Sequence, residues 1–237
     1  ERMQTVAVLD DKPITINADG TWSYLPPKAP ALERMQKAEI PASMVELLTG
    51  VFDRVGVCIK DTGERVIVAH KGDHFAFLDG SDGAAVDYDL SVNSHQIDLL
   101  IKHTEDGYSD PVARFGLVQV FLEALPFSVD SLLNRSVLTN PAFRKLVKAK
   151  DLIHLTMASP SPEERPDANF TLFFVNGAWH VAPELLGKPE RVFRMSPEEA
   201  LELMRMGHGA TKAGVLDLPG YATQYTKWRN KVEVELD

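Results

Sequence analysis

Two stretches decide how this chain is parsed: RVIVAHKGDHFAFLDGSDGAAVDYDLSVNSHQIDLL (residues 65–100) and TLFFVNGAWHVAPELLGKPERVFRMSPEEALELMR (residues 171–205). Each reads as an apolar strand, a glycine turn, a second strand, a third strand ending in Asp89-Leu90-Ser91 or Arg194-Met195-Ser196, and then an amphipathic helix. Gly72 pairs with Gly177 and Ser91 with Ser196, both at a spacing of 105 residues (177 − 72 and 196 − 91). Repetition of a supersecondary unit at a fixed period predicts two copies of one α+β module, the second degenerate.

Outward from the first copy, Ser43 to Val55 carries Met44, Leu47, Leu48, Val51, Phe52 and Val55 at helical spacing, with Gly56 as the expected stop. Val57 to Lys60, Val66 to His70 and His74 to Leu78 then predict a meander. The alternation of Val86, Tyr88 and Leu90 with Asp87 and Asp89 predicts a half-solvated antiparallel strand. Asn93 to Lys102 follows as a helix burying Ile97, Leu100 and Ile101. Phe115 to Phe127, the most apolar segment, reads as a strand or a buried helix, and Asp130 to Lys150 as one or two helices broken before Pro141. Leu152 to Met157 is a strand, residues 158–166 a mobile proline-rich loop, and Ser196-Pro197-Glu198-Glu199 a capping box that opens the second helix. Val232 to Leu236 alternates with Glu233 and Glu235, as an edge strand does.

At the N-terminus, Val6 to Ile16 forms a hairpin and Asp19-Gly20 turns into Thr21-Trp22-Ser23-Tyr24. Pro26-Pro27-Lys28-Ala29-Pro30 then stiffens a linker. The expected division is an N-terminal hairpin extension over 1–25, a linker over 26–40, an α+β domain over 41–150, and the degenerate repeat over 151–237 packed on it.

Among 237 residues, 44% hydrophobic and 25% charged, the net charge is −9. That balance argues against a nucleic-acid partner, which requires a basic surface to release counterions. No apolar stretch is long enough to cross a bilayer, so the chain is not expected to be transmembrane. A single cysteine, Cys58, excludes an internal disulfide and reads as a buried structural thiol between Val57 and Ile59. The Asp-Gly-Thr-Trp hairpin is similar to segments near the mature N-terminus of exported bacterial proteins. It points to the periplasm, with the signal segment absent from this chain; the low cysteine content suits the cytoplasm equally.

No motif names a reaction. His70 and His74 flank a turn without a third ligand, and Asp79 to Gly83 lacks the carboxylate that a calcium loop needs at its twelfth position, where Leu90 stands. Gly207 to Gly214 follows a helix, whereas phosphate cradles open one, and reads as a flexible connector. No catalytic set, metal ligand or cofactor is expected.

The order of helix, meander, fourth strand, helix and apolar strand resembles the sterol-carrier-protein-2-like lipid-binding superfamily. Tyr88-Asp89-Leu90-Ser91 opens the helix, Gly107-Tyr108-Ser109-Asp110-Pro111 closes it, and Gly116-Leu117-Val118-Gln119-Val120 is the strand that follows. The likeness covers roughly residues 41–135, with an echo over 152–207. It implies a mainly antiparallel, curved sheet covered by helices, with an apolar cavity for a lipid. Phe75, Phe77, Leu99, Leu100, Phe115, Leu117, Phe121, Leu122, Leu125, Phe127, Leu132 and Leu133 form an aromatic and leucine-rich set suited to line it. The expected function is non-enzymatic binding or transport of a lipid or other apolar small molecule. The alternative is an envelope interaction or scaffold module with a filled core, whose protein partner pairs with an edge strand. A small-molecule hydrolase would require His70, His74 or His180 to converge with a carboxylate or metal.

Overall fold

The computed structural model describes residues 5–9, 12–16, 22–24, 30–104, 106–124, 134 and 137–236, with backbone alone before residue 25. Strands β1 (Thr5–Leu9), β2 (Lys12–Ile16) and β3 (Trp22–Tyr24) form an antiparallel meander, with Thr15 opposite both Val6 and Ser23. Beyond it the same unit occurs twice. The first comprises β4 (Arg54–Ile59), β5 (Arg65–His70), β6 (Phe75–Asp79) and β7 (Tyr88–Val92), preceded by α1 (Ala31–Lys37) and α2 (Ala42–Leu48) and followed by α3 (Ser94–Thr104) and α4 (Pro111–Glu123). After α5 (Pro141–Leu146), the second comprises β8 (Leu152–Met157), β9 (Ala168–Val175), β10 (Ala178–Ala182) and β11 (Arg191–Met195). Helices α6 (Pro197–Ala210) and α7 (Leu218–Val232) and a short β12 (Glu233–Val234) complete it.

The two sheets share one topology, β6-β5-β4-β7 and β10-β9-β8-β11, the second extended by β12. In each, a tight hairpin joins the second and third strands, and Gly72 and Gly177 sit at its turn with the same positive φ of 82°. The chain then crosses to the free flank of the opening strand. Strand β7 therefore lies parallel to β4, and β11 parallel to β8. Both sheets are mixed, one parallel pair in each among antiparallel ones, which corrects the antiparallel direction expected for the strand at 86–91. Alternating burial marked the half-solvated strand at 88–92 correctly, but alternation carries no information about strand direction.

Register also corrects the alignment of the copies. Ile59 faces Val92 and Met157 faces Met195, so Val92 corresponds to Met195 and the helix caps are Asn93 and Ser196. Asn93 accepts from the Gln96 amide, whose side chain accepts from the Asn93 amide, both at 2.8 Å; Ser196 and Glu199 make the same reciprocal pair. Ser91 instead lies exposed within β7. One capping geometry built from two different residue pairs hid the true offset.

Several elements differ from the sequence reading. Residues 31–37 of the expected linker are helix α1, whose Ala31 and Met35 are buried. Helix α2 stops at Leu48 because Gly50, at φ 78°, turns the chain; Gly56 lies inside β4. The segment 116–120, expected as a strand from the family likeness, is the middle of α4. Asp110 caps that helix by accepting from the Val112 amide, with Pro111 at the first position. Helix α4 is largely apolar, with Phe115 to Val118, Phe121 and Leu122 buried and only Arg114, Gln119 and Glu123 polar along its length. Leu117 and Phe121 face the first sheet, while Leu122 reaches the second. At Gly116 the guanidinium of Arg165 lies where a side chain would project, and Arg165 donates to Gln119 at 2.9 Å, so the 158–166 loop is fastened to α4.

The C-terminal edge strand is shorter than expected. Val232 is the buried last residue of α7, and β12 pairs Val234 with Val192. Of the expected helical region 130–150, α5 begins at Pro141 behind the Asn140 cap; residues 130–133 lie outside the described residues.

Candidate functional site

Each repeat holds an apolar cavity of about 60 Å³ between its sheet and its helices. In the first, β4 to β7 present Val57, Val68, Phe75, Phe77 and Leu90, and α3 and α4 add Leu100, Ile101, Leu117 and Phe121. Helices α1 and α2 close it with Met35, Met44 and Leu48. Phe52 stacks on both Phe75 and Phe121 at 5.9 Å between centroids, forming an aromatic floor. In the second, Leu155, Phe170, Leu172 and Val181 face Met204, Met206 and Tyr225 of α6 and α7.

Of the expected lining set, Phe75, Phe77, Leu100, Leu117 and Phe121 meet at the first cavity, and Leu122 lines the second. Phe115 is fully buried beside the Arg165 guanidinium, 5.7 Å from its ring, and borders neither cavity. Leu99 is 41% exposed on the outer side of α3, because it lies two residues from Ile97 and helical neighbours at that spacing diverge. Leu125, Phe127, Leu132 and Leu133 lie outside the described residues. Helical spacing put Met44 and Leu48 on a shared face without placing them at the cavity, and α1 was missed, because the prolines before residue 31 obscured a heptapeptide that is apolar at Ala31, Leu32 and Met35.

The cover of the first cavity is held by few polar contacts. Arg34 of α1 pairs with Asp98 of α3, the Ala31 amide donates to Glu64, and Gln36 donates to the Phe77 carbonyl at 3.1 Å. Neither α1 nor α2 has a side-chain N-cap.

A polar seam joins the repeats on the far side of α2. Arg205, His208 and Lys212 recur at spacings of three and four, and so share one face of α6 and the turn after it. Arg205 donates to the Leu47 and Thr49 carbonyls at 2.6 and 3.0 Å, satisfying the open end of α2. His208, in the last turn of α6 and not in a loop, places Nε2 3.3 Å from Asp87 and 4.0 Å from Asp53, while Lys212 pairs with Asp53. Asp87 accepts from the Asp53 and Arg54 amides at 2.6 and 3.0 Å. Burial opposes its ionisation, yet His208 and those two amides together hold the carboxyl down to about 2. The sequence signal for this seam was the Arg-x-x-His-x-x-x-Lys spacing.

The other histidines stay apart. His70 lies 3.2 Å from the Thr49 hydroxyl, His74 pairs with its neighbour Asp73, and His180 stacks on Phe173 in the second sheet. In the 79–83 loop, Asp79 and Asp82 accept from the backbone amides of Ser81 and Ala84, closing local turns. Cys58 is half-buried on the outer face of the first sheet, 3.6 Å from Asp89; burial and that carboxylate push its thiol pKa up, away from reactivity. Among the described residues no helix is long and apolar enough to cross a membrane. Comparison with protein-family models, curated proteins and solved structures finds no match to this chain.

Proposed function

We propose that this protein is a non-enzymatic binder of a lipid or other apolar small molecule, taken up by the first repeat between its sheet and the α1–α2 cover. The observation that carries this reading is the apolar cavity beside Phe75, Leu100 and Phe121, closed by two seven-residue helices. Short helices without side-chain caps draw their order from packing and sit at the low end of local stability. Ligand pockets span about 300–1,000 Å³, so an acyl chain enters only as α1 swings away from α3 and the flexible Met35 and Met44 side chains repack around it. The hairpin's likeness to exported proteins supports a periplasmic setting for such a carrier.

Native mass spectrometry followed by organic extraction tests the reading. A discrete excess mass that extraction converts into a fatty acid, sterol or phospholipid, and that Leu100→Trp abolishes by filling the cavity, supports it. A bare mass that persists after incubation with mixed lipids overturns it. That outcome leaves an interaction module with a filled core, the reading which the small volume of the closed cavity favours.

A further inference from the structure

We propose that Asp53, Asp87 and His208 form a binding site for a zinc-class divalent cation that clamps the two repeats together. The donors come from three places: the residue before β4, the residue before β7, and the last turn of α6. One ligand atom from each lies within 4.8 Å of the other two. Zinc held tetrahedrally at about 2.0–2.2 Å places its ligand atoms about 3.3 Å apart. His208 Nε2 and Asp87 already stand at 3.3 Å, and Asp53, at 4.0 Å from Nε2, is on the exposed side of the seam where its carboxylate can close the gap.

His208 supplies the second, independent observation. Its residue is 4% exposed, and Nε2 is aimed at both carboxylates, 3.3 Å from Asp87 at an angle short of a good hydrogen bond and 4.0 Å from Asp53. A buried ring nitrogen held by one poorly aligned contact gains a stronger partner on ligation. The Asp53 and Arg54 amides fix the Asp87 carboxylate, the orienting role that outer contacts play around metal ligands. One imidazole and two carboxylates form a nitrogen and oxygen donor set suited to zinc, with water completing the coordination. Lys212, whose side chain is 57% exposed, occupies Asp53 as a resident cation and can leave on its flexible stem.

The test is calorimetric titration of the chelator-stripped full chain with zinc chloride at neutral pH, paired with visible absorption on cobalt(II) substitution and thermal unfolding. The expected result is saturable binding of a single ion with a rise in Tm. Removing an orienting contact alone costs about 10–100-fold in metal affinity, so His208→Gln, which removes a ligand, loses at least that much. Lys212→Met, at an exposed position that leaves folding intact, binds more tightly because its competing charge is gone. Absence of saturable binding in the parent, or parental affinity in both variants, overturns the proposal and makes the seam an ion pair only.

Discussion

The two repeats share a topology and differ in what covers it. The second sheet is roofed by α6 and α7, of fourteen and fifteen residues, the first with a full capping box, and by Trp228, whose indole donates to the Glu199 carbonyl at 2.9 Å. The first sheet is roofed by α3 and α4, of eleven and thirteen residues, and its cavity is completed by α1 and α2, of seven each. Propagation adds one hydrogen bond per residue after a costly nucleus, so long helices hold themselves and short ones are held by neighbours. The two copies therefore differ in how far their covering helices depend on neighbours for their order.

The largest effects should separate those copies. Trp228, 1% exposed and edge-on to Phe193 at 5.2 Å, belongs to the roof of the second sheet. Trp228→Ala is expected to cost about 3–5 kcal/mol of global stability in urea unfolding. Met35→Ala should cost about 2 kcal/mol, at the low end for a buried methionine, and should speed amide exchange chiefly in α1. Equal global losses would remove the contrast.

Next come the outer faces. Gly56 leaves room for the Arg65–Asp89 pair at 2.9 Å; a β-carbon there would lie 1.9 Å from the Asp89 carboxylate. Gly56→Ala is expected to destabilise by about 1–3 kcal/mol through that overpacking. The corresponding position in β8 is His154, whose ring meets the Leu186 carbonyl at 2.9 Å. His154→Ala should cost less than about 1.5 kcal/mol by the same assay.

A smaller effect tests the cover directly. Arg34→Met removes the pair with Asp98 and should cost about 0.5–1 kcal/mol, with faster exchange in α1 and none in α6. If α1 exchange is unchanged, the pair does not hold the cover.

An effect of comparable size lies in the seam. The Asp87 carboxyl sits below its ordinary 3.8, at about 2 in the folded chain, so its stabilisation is complete above about pH 4 and fades as pH falls toward 2. After solvent screening this amounts to about 1 kcal/mol. Asp87→Asn should flatten the acid limb of the stability curve by that much.

Much of this architecture was legible in residue order. Glycine turns and alternating apolar residues located the meanders, and β8 runs from Leu152 to Met157 as its sequence indicates. Strand direction was not legible, because the crossover that makes β7 parallel depends on which flank of β4 is free. Residue order left α4 open between strand and buried helix, since a largely buried segment lacks the periodicity that separates the two, and the family likeness pointed to the strand. Half of the candidate site was visible as a cluster of apolar residues around Phe75 and Leu117. Helix α1 was hidden behind the prolines before residue 31, and the seam was not legible because it is assembled from residues far apart in sequence: Asp53 meets Lys212 across 159 positions.

Helix α4 ties the fates of both halves. Cutting the chain after residue 150 would strip Leu122 from the second core, and ending it before residue 111 would strip Leu117 and Phe121 from the first. Tandem repeats that touch only through neighbouring faces can melt piecemeal. Here a single wall is common property, so the doubled sequence is expected to unfold in one cooperative step, and drift in either copy is constrained by the packing of the other.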